Sequence, residues 1–234
     1  HKVTLCEKDG ELGGVILCER NVPFKKRIDE YIEQQKYLIG KAGIDVRLNT
    51  EVTPRMAEEL RPDVIIAALG AGEFRPELPG IDGDNVKTAA QVFRQPGLAG
   101  RSAVILGAGL TGIELAIYLK ELGVSVEIAE MAPKTELSEI YTAKMLEIDL
   151  EVNWSTKAKA VTDRGVLCDT PEGERLIEGE TVILAMGMRP LWAEATALNG
   201  CAGEFHMIGD CRAPRNIIAA TGEGWTAARN IGRY

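Results

Sequence analysis

The sequence predicts an α/β protein with an internal repeat, whose first copy is shortened at its N-terminus. Three observations lead to this class. A strand, a glycine turn, a helix and a second strand follow one another over residues 102–130. A shorter strand at residues 3–6 ends at an acidic residue in the same way. Two apolar strands, 63–72 and 181–190, each break at glycine after small residues, so both halves of a repeat close alike.

The composition is that of a globular protein with ordinary partners. The 234 residues leave room for two domains, and 45% apolar with 26% charged residues is typical of soluble folds. A net charge of −8 argues against nucleic acid and anionic membranes as partners. No apolar run is long enough to span a membrane. Five scattered cysteines indicate reduced thiols in a cytoplasmic protein, and two histidines predict no metal site.

A glycine-rich turn joins the apolar strand Ser102–Leu106 to a helix predicted over 113–122. Its glycines follow the pattern G-x-G-x-x-G, as Gly107, Gly109, Leu110, Thr111 and Gly112. The first glycine permits a sharp turn out of the strand. The second lets the backbone approach a pyrophosphate, whose charge meets the N–H groups at the helix start. The third lets the helix lie close to the strand. Together these features predict a dinucleotide site.

An acidic residue, Glu130, ends the next strand, 124–129, about 20 residues beyond the glycines, where a carboxylate accepts hydrogen bonds from an adenosine ribose. Because it would repel a 2′-phosphate, NADH is expected over NADPH. Lys134 is the nearby cation, but it comes four residues later. The alternative is an α/β domain whose glycines serve packing alone.

The first 72 residues repeat this pattern without a glycine turn at their start. The strand 3–6 ends at Glu7 and is followed by the small turn Leu12-Gly13-Gly14. A glycine turn before it, if present, lies upstream of His1, so the chain is expected to be a piece of a longer protein. Further elements are expected at 24–42 (helix), 44–48 (strand), 55–60 (helix or turn) and 63–72 (strand, ending near Gly70).

The second half contains turns and strands between its two apolar strands. A turn-rich segment is expected at 74–80, a linker at 95–97, a helix at 136–150, and short strands over 152–180. The strand 181–190 breaks at Gly187. A strand at 205–208 ends in Gly209 and Asp210, and a helix follows over 217–234, which Gly222 and Gly224 are expected to interrupt.

These features resemble the flavoproteins with two dinucleotide-binding domains. More narrowly, they resemble the C-terminal part of the 2,4-dienoyl-CoA reductase, enoate reductase and trimethylamine dehydrogenase family, to which the run Gly209 to Arg215 in particular points. The resemblance implies two interleaved Rossmann-like domains, each of three layers (ββα). One would bind FAD (1–96 with 191–234, incomplete) and the other NAD(H) (97–190). On the FAD side it implies that Glu7 holds the adenosine ribose, that Gly13 and Gly14 pass near the pyrophosphate, and that Asp210 bonds a ribityl hydroxyl or flavin phosphate. The alternative for Asp210 is a helix N-cap.

The implied function is an NADH-dependent flavin oxidoreductase module that passes hydride from NADH to FAD; assembly into a homo-oligomer is left open. Complete members of the family carry an N-terminal (β/α)8 barrel with FMN, and a 4Fe–4S cluster. This chain encodes neither, so both are expected only in the full-length polypeptide, whose barrel would be the partner of this module. Glu114, one turn into the helix, resembles an acid that some relatives place near the nicotinamide. A solvent-facing or capping glutamate is the alternative.

Two rival functions remain open from the residues. A disulfide reductase or peroxidase needs a cysteine pair, which the sequence lacks, or a single reactive cysteine, for which Cys18 is the candidate. A structural module of a trimethylamine dehydrogenase-like enzyme would hold ADP in the second site, because ADP offers Glu130 the same ribose as NADH does.

Overall fold

The structure is a computed structural model that describes residues 1–233. The strands are β1 (Thr4–Cys6), β2 (Asp45–Arg47), β3 (Val64–Ala67), β4 (Ala71–Glu73), β5 (Val86–Thr88), β6 (Ser102–Leu106), β7 (Ser125–Ala129), β8 (Val152–Asn153), β9 (Lys157–Thr162), β10 (Gly165–Thr170), β11 (Gly173–Glu178), β12 (Thr181–Leu184), β13 (Met188–Pro190) and β14 (Glu204–Met207). The helices are α1 (Lys26–Lys41), α2 (Pro54–Leu60), α3 (Ala89–Arg94), α4 (Leu110–Glu121), α5 (Glu139–Glu147), α6 (Trp192–Thr196) and α7 (Ile217–Asn230).

The chain divides into two compact units. The first contains residues 1–17, residues 26–72 and the chain from Met188 onward, and the second contains residues 18–25 and 73–187. Residues 73–96 therefore lie in the second unit. The domain boundaries expected at 96/97 and 190/191 divide the chain by the cofactor that each part would bind. They stay a prediction.

The second unit has three layers. Its central sheet is parallel, in the order β5–β12–β6–β7–β8. Strands β6 and β12 pair directly, Val104 with Val182 and Ile105 with Ile183, and these four side chains are fully buried. A core that includes residues of α3 and α4 packs with Ile105, whereas a second core joins Val104 to residues of the antiparallel sheet β9–β10–β11. Because both faces of the sheet are covered, its strands are continuous apolar runs. The predicted α/β class with ββα layers is confirmed.

The first unit contains pairs of short strands. Strand β1 lies parallel to β2, β3 lies parallel to β14, and β4 pairs with β13. A small core contains Ala57 of α2, Ala67 at the end of β3, Ala195 of α6 and Cys211. The segments that carry Glu7 and Asp210 thus follow the carboxyl ends of parallel strands, where ligands bind in open α/β sheets.

Two helices differ from the prediction. Helix α7 runs without a break through Gly222 and Gly224 to Asn230, so the expected interruption is wrong. Asn216 caps its start by accepting a hydrogen bond from the Ala219 N–H at 2.9 Å, which offsets the low propensity of the two glycines. Helix α3 was not predicted. Its first turn is a capping box, in which Thr88 and Gln91 each bond the other's backbone N–H.

Within the part of the chain that the structure describes, no helix is both long and apolar enough to cross a membrane.

Candidate functional site

Two glycines of the turn between β6 and α4 are required by packing. Gly107 has a φ of +108°, and a Cβ there would lie 2.5 Å from the Ala185 carbonyl oxygen. A Cβ on Gly112 would lie 2.0 Å from the Gly107 carbonyl oxygen. Any side chain at either position would therefore push the backbone of the turn out of place.

The middle glycine, Gly109, has a different environment. A Cβ there would meet no protein atom within 4 Å, and its φ of −68° suits any residue. Gly109 is the N-cap of α4, where no side chain caps the helix, and the first helical residue, Leu110, is 63% exposed. Since the first N–H groups of a helix have no partner within it, this end can bind an anion. The turn thus leaves open the space that a pyrophosphate needs.

The carboxylate of Glu130 lies directly against this turn. Its Oε2 accepts a hydrogen bond from the Ala108 N–H at 2.8 Å, and its Oε1 accepts one from the Ala132 N–H at 2.8 Å. Because each carboxylate oxygen accepts more than one hydrogen bond, both can still accept hydroxyl donors. The structure therefore brings together the glycine turn and the acid that the sequence singled out.

Glu114 is buried, at 9% exposure, so the solvent-facing alternative is wrong. Its Oε2 accepts a hydrogen bond from Lys25 Nζ at 2.6 Å, and its Oε1 accepts one from the Tyr141 hydroxyl at 2.6 Å. Lys25 also donates to Glu19 Oε2 at 2.7 Å, and its ammonium lies 6.0 Å from the centre of the Phe93 ring. We call Glu19, Lys25, Glu114 and Tyr141 the Lys25 cluster.

Burial acts on the hydroxyl of this cluster. Desolvation, followed by the hydrogen bond to Glu114 and the charges of Glu114 and Glu19, raises the pKa of Tyr141 to about 12. Tyr141 is therefore a protonated hydrogen-bond donor at neutral pH. With Lys25 it supplies donors to both oxygens of the buried Glu114 carboxylate, as a buried charge requires.

The predicted FAD residues lie in the first unit. Glu7 follows β1, and its Oε1 accepts a hydrogen bond from the Asp9 N–H at 2.9 Å. Gly13 and Gly14 have φ values of +134° and +60°. A Cβ on Gly14 would meet nothing within 4 Å, whereas one on Gly13 would lie 2.8 Å from a Leu17 methyl group. This turn therefore needs glycine for its backbone and is open at Gly14.

Asp210 lies in a short 3₁₀ helix after β14, and its Oδ1 accepts a hydrogen bond from the Arg215 N–H at 3.2 Å. The preceding Gly209 N–H donates to Glu223 Oε2 of α7 at 2.7 Å, and the Arg215 guanidinium pairs with the same carboxylate. Chiefly the Arg215 hydrogen bond, aided by the Gly209 N–H, lowers the pKa of Glu223. Glu223 thus holds the turn that carries Asp210.

Two further predicted glycines, Gly70 and Gly187, have φ values of +77° and +96°, and a Cβ on either would meet nothing within 4 Å. Both positions favour glycine through their backbone conformation. The space around each of these glycines is open, but no contact there assigns a ligand.

All five cysteines are free. Cys18 is buried, and desolvation, with a smaller contribution from the Glu19 charge, raises its pKa to about 11. Reactive cysteines have a lowered pKa, so this environment disfavours the thiolate that a single-cysteine peroxidase or disulfide reductase would use. Among residues 1–233, no group of three or more histidine, cysteine, aspartate or glutamate side chains could hold a metal ion.

The sequence reasoning missed Lys25, Glu19, Tyr141 and Glu223. Lys25 and Glu114 are 89 residues apart, and Tyr141 is 27 residues beyond Glu114. No local spacing connects them. The one available signal was that Glu114 is the single charged residue in the run 113–119, because a carboxylate that is buried with its neighbours requires partners.

The chain is similar to several known proteins. A family model described as "Pyridine nucleotide-disulphide oxidoreductase" matches residues 3–199. The bilirubin reductase of Mediterraneibacter gnavus is 28% identical over 97% of this chain and 37% of its own length. The NADH oxidase of Thermoanaerobacter brockii is 29% identical over 99% of this chain and 37% of its own length.

A solved 2-naphthoyl-CoA reductase in complex with 2-naphthoyl-CoA superposes with a TM-score of 0.88 and 28% identity. It matches 96% of this chain and 35% of its own. The chain thus spans little more than a third of the length of these relatives.

Proposed function

The chain belongs to the pyridine nucleotide-disulphide oxidoreductase family, and we propose that it is the module that passes hydride from NADH to FAD within a larger reductase. The observation that carries this proposal is the open start of α4 at Gly109 with the Glu130 carboxylate against the same turn. The helix start would bind the pyrophosphate of a dinucleotide, and the Glu130 carboxylate would bind its ribose.

The residues of the second unit fit a nicotinamide dinucleotide. The N–H groups at the start of α4 bind the pyrophosphate, and Gly109 leaves it room. Glu130 accepts the ribose hydroxyls and disfavours a 2′-phosphate, which favours NADH over NADPH. The bound nucleotide supplies the hydride, a reaction that needs stacking geometry and exclusion of water more than a side-chain acid. Glu114, whose carboxylate accepts hydrogen bonds from Lys25 and Tyr141, would be the acid beside the nicotinamide half.

The residues of the first unit fit part of an FAD site. Glu7 binds the adenosine ribose, the Gly13–Gly14 turn lies along the pyrophosphate, and Asp210 bonds the ribityl chain or a phosphate. The usual order of strands in such a sheet is 3-2-1-4-5. In this order β2 and β1 would take positions 3 and 2, and β3 and β14 would take positions 4 and 5. Position 1 would then belong to a strand that carries the other glycine turn of the FAD site.

The larger reductase is of the 2,4-dienoyl-CoA reductase and enoate reductase kind. Support comes from the length of the relatives and from two of their names, bilirubin reductase and 2-naphthoyl-CoA reductase. In it, an FMN barrel of the same polypeptide with a 4Fe–4S cluster would take electrons from this module and reduce the organic substrate. We place the protein in the cytoplasm.

A second candidate function is a module that holds ADP and takes no electrons. One observation favours it: the glycine turn and Glu130 offer all that an ADP pyrophosphate and ribose require. Sites for the nicotinamide are not needed in that case.

Equilibrium titration of the purified chain with NADH, NADPH and ADP separates the candidates. We expect NADH to bind more tightly than both ADP and NADPH, because the nicotinamide half adds contacts and Glu130 repels the 2′-phosphate. Equal affinity for ADP and NADH would favour the ADP module. Binding of none of the three would overturn the nucleotide proposal, provided that circular dichroism shows a folded chain.

A further inference from the structure

The segment that follows β8 holds the loop that begins at Glu130. The Glu130 N–H donates to the Asn153 carbonyl oxygen at 2.9 Å, and the Glu130 carbonyl oxygen accepts a hydrogen bond from the Thr156 N–H at 2.8 Å. Two residues later, the Ala132 carbonyl oxygen accepts a hydrogen bond from the Ser155 N–H at 2.9 Å. Both ends of this loop are therefore bonded to the segment after β8.

The same loop orients the carboxylate of Glu130. Its Oε1 accepts a hydrogen bond from the Ala132 N–H at 2.8 Å, so the residue whose carbonyl oxygen is bonded to Ser155 also holds the side chain. Its Oε2 accepts a hydrogen bond from the Ala108 N–H of the glycine turn at 2.8 Å. The direction of the carboxylate thus depends on where the Ser155 N–H holds Ala132.

Ser155 has a backbone conformation that few residues other than glycine adopt. Its φ of +53° lies in the left-handed region, and its side chain is exposed. In an extended strand, successive N–H groups point to opposite sides of the chain, whereas a left-handed residue can turn both toward one side. The N–H groups of Ser155 and Thr156 are successive, and both donate to the Glu130 loop. The left-handed conformation of Ser155 therefore brings the two donors to the same loop.

We propose that Ser155 is a positioning residue for the nucleotide site, whose left-handed backbone fixes the Glu130 carboxylate at the ribose and thereby sets the preference for NADH over NADPH. The inference rests on the proposed function, because it requires Glu130 to bind the ribose. A carboxylate that is already held loses little freedom when it accepts the ribose hydroxyls. A carboxylate whose loop is released can turn toward water, so it binds the ribose more weakly and repels a 2′-phosphate less.

The test compares the dissociation constants of NADH and NADPH for the wild-type chain and for Ser155→Val. A β-branched residue strongly disfavours a positive φ, so valine should make residue 155 extended and separate the two N–H groups. The ratio of the NADPH to the NADH dissociation constant should fall about fivefold, the factor that one net hydrogen bond contributes. Ser155→Gly should keep the wild-type ratio, because glycine adopts this conformation freely.

Asp149→Val is the matched control. Asp149 is also exposed, has a φ of +51° and lies in the second unit. Its N–H donates to the Leu146 carbonyl oxygen, and its own carbonyl oxygen accepts a hydrogen bond from Lys120 Nζ at 2.8 Å. Valine should therefore strain the backbone there as it does at residue 155, and the ratio should stay within about twofold of wild type.

An unchanged ratio in Ser155→Val, with both nucleotides still bound, would overturn the inference and leave the proposed function intact. An equal fall in Asp149→Val would also overturn it, since general destabilisation would then be the cause. An equal fall in Ser155→Gly would overturn it too, because the hydroxyl and not the backbone would then be responsible. Failure of the wild-type chain to bind either nucleotide would instead refute the proposed function. If Ser155→Val does not fold, Ser155→Ala strains the same position less and should lower the ratio in the same direction.

Discussion

Replacing Gly109 by alanine should weaken nucleotide binding without destabilising the protein. A methyl group there meets no protein atom within 4 Å, and the backbone conformation, with φ −68° and ψ 176°, is one that alanine adopts freely. Alanine at such a position stabilises by about 0.4–1 kcal/mol through the unfolded state. It is a poorer N-cap than glycine, which costs a few tenths to about 1 kcal/mol. The free energy of unfolding should therefore change by less than about 0.5 kcal/mol.

The methyl group would, however, fill the space beside the free N–H groups of α4. We expect the dissociation constant for NADH to rise at least about tenfold, which corresponds to 1.4 kcal/mol. Calorimetric titration with NADH gives the affinity, and urea unfolding of the same sample gives the stability.

Gly112→Ala is the contrasting variant, because its Cβ would lie 2.0 Å from the Gly107 carbonyl oxygen. Overpacking against backbone costs up to about 3 kcal/mol, and better helix propensity returns about 1 kcal/mol. A net loss of about 2 kcal/mol should lower Tm by about 4–8 °C. If Gly109→Ala destabilised the chain as much as Gly112→Ala, or bound NADH as tightly as wild type, the glycines would serve packing alone.

Three further predictions concern the acid, the thiol and the phenol of the second unit. Glu130→Gln should weaken NADH binding and bring the NADPH affinity closer to that of NADH, because the group that repels a 2′-phosphate is gone. Titration with both nucleotides would contradict this if the ratio of the two dissociation constants stayed the same as in wild type. Near pH 8, Cys18 should hold about a hundredfold less thiolate than an ordinary thiol, since its pKa is raised to about 11. Cys18 in the native chain should therefore resist alkylation by iodoacetamide, and Cys18→Ser should leave NADH oxidation unchanged. Rapid labelling of Cys18 would contradict its burial. Tyr141 should stabilise the fold fully below pH 10, its ordinary pKa, and lose that contribution as the pH rises toward 12, its folded pKa, because the unfolded phenol releases its proton first. In urea unfolding, the free energy of unfolding of Tyr141→Phe should decline less over this pH range than that of wild type. An equal decline would contradict the raised pKa.

The local features of this chain were readable from its sequence because they depend on neighbouring residues. The turn Gly107 to Gly112 and the acid Glu130 belong to one strand–helix–strand unit. Their spacing in the sequence therefore already predicts that they lie in contact. The capping box at Thr88 and Gln91 was equally local, and its T-x-x-Q pattern could have revealed α3.

The contacts that sequence reasoning missed join distant parts of the chain. Lys25 reaches Glu114 across 89 residues, and Glu223 reaches Gly209 across 14 residues, from a helix to the turn before it. Such partners are chosen by tertiary packing, which no local pattern encodes. The unbroken α7 has a local origin instead, because the Asn216 cap offsets the low helix propensity of its two glycines.

The central claim is most directly tested by an anaerobic absorbance spectrum of the full chain, mixed with FAD and then with NADH. Flavin absorbance should bleach when NADH is added, with Gly109→Ala bleaching more slowly at limiting NADH. A protein that retains flavin and binds NADH, yet keeps its full flavin absorbance, would contradict hydride transfer by this module.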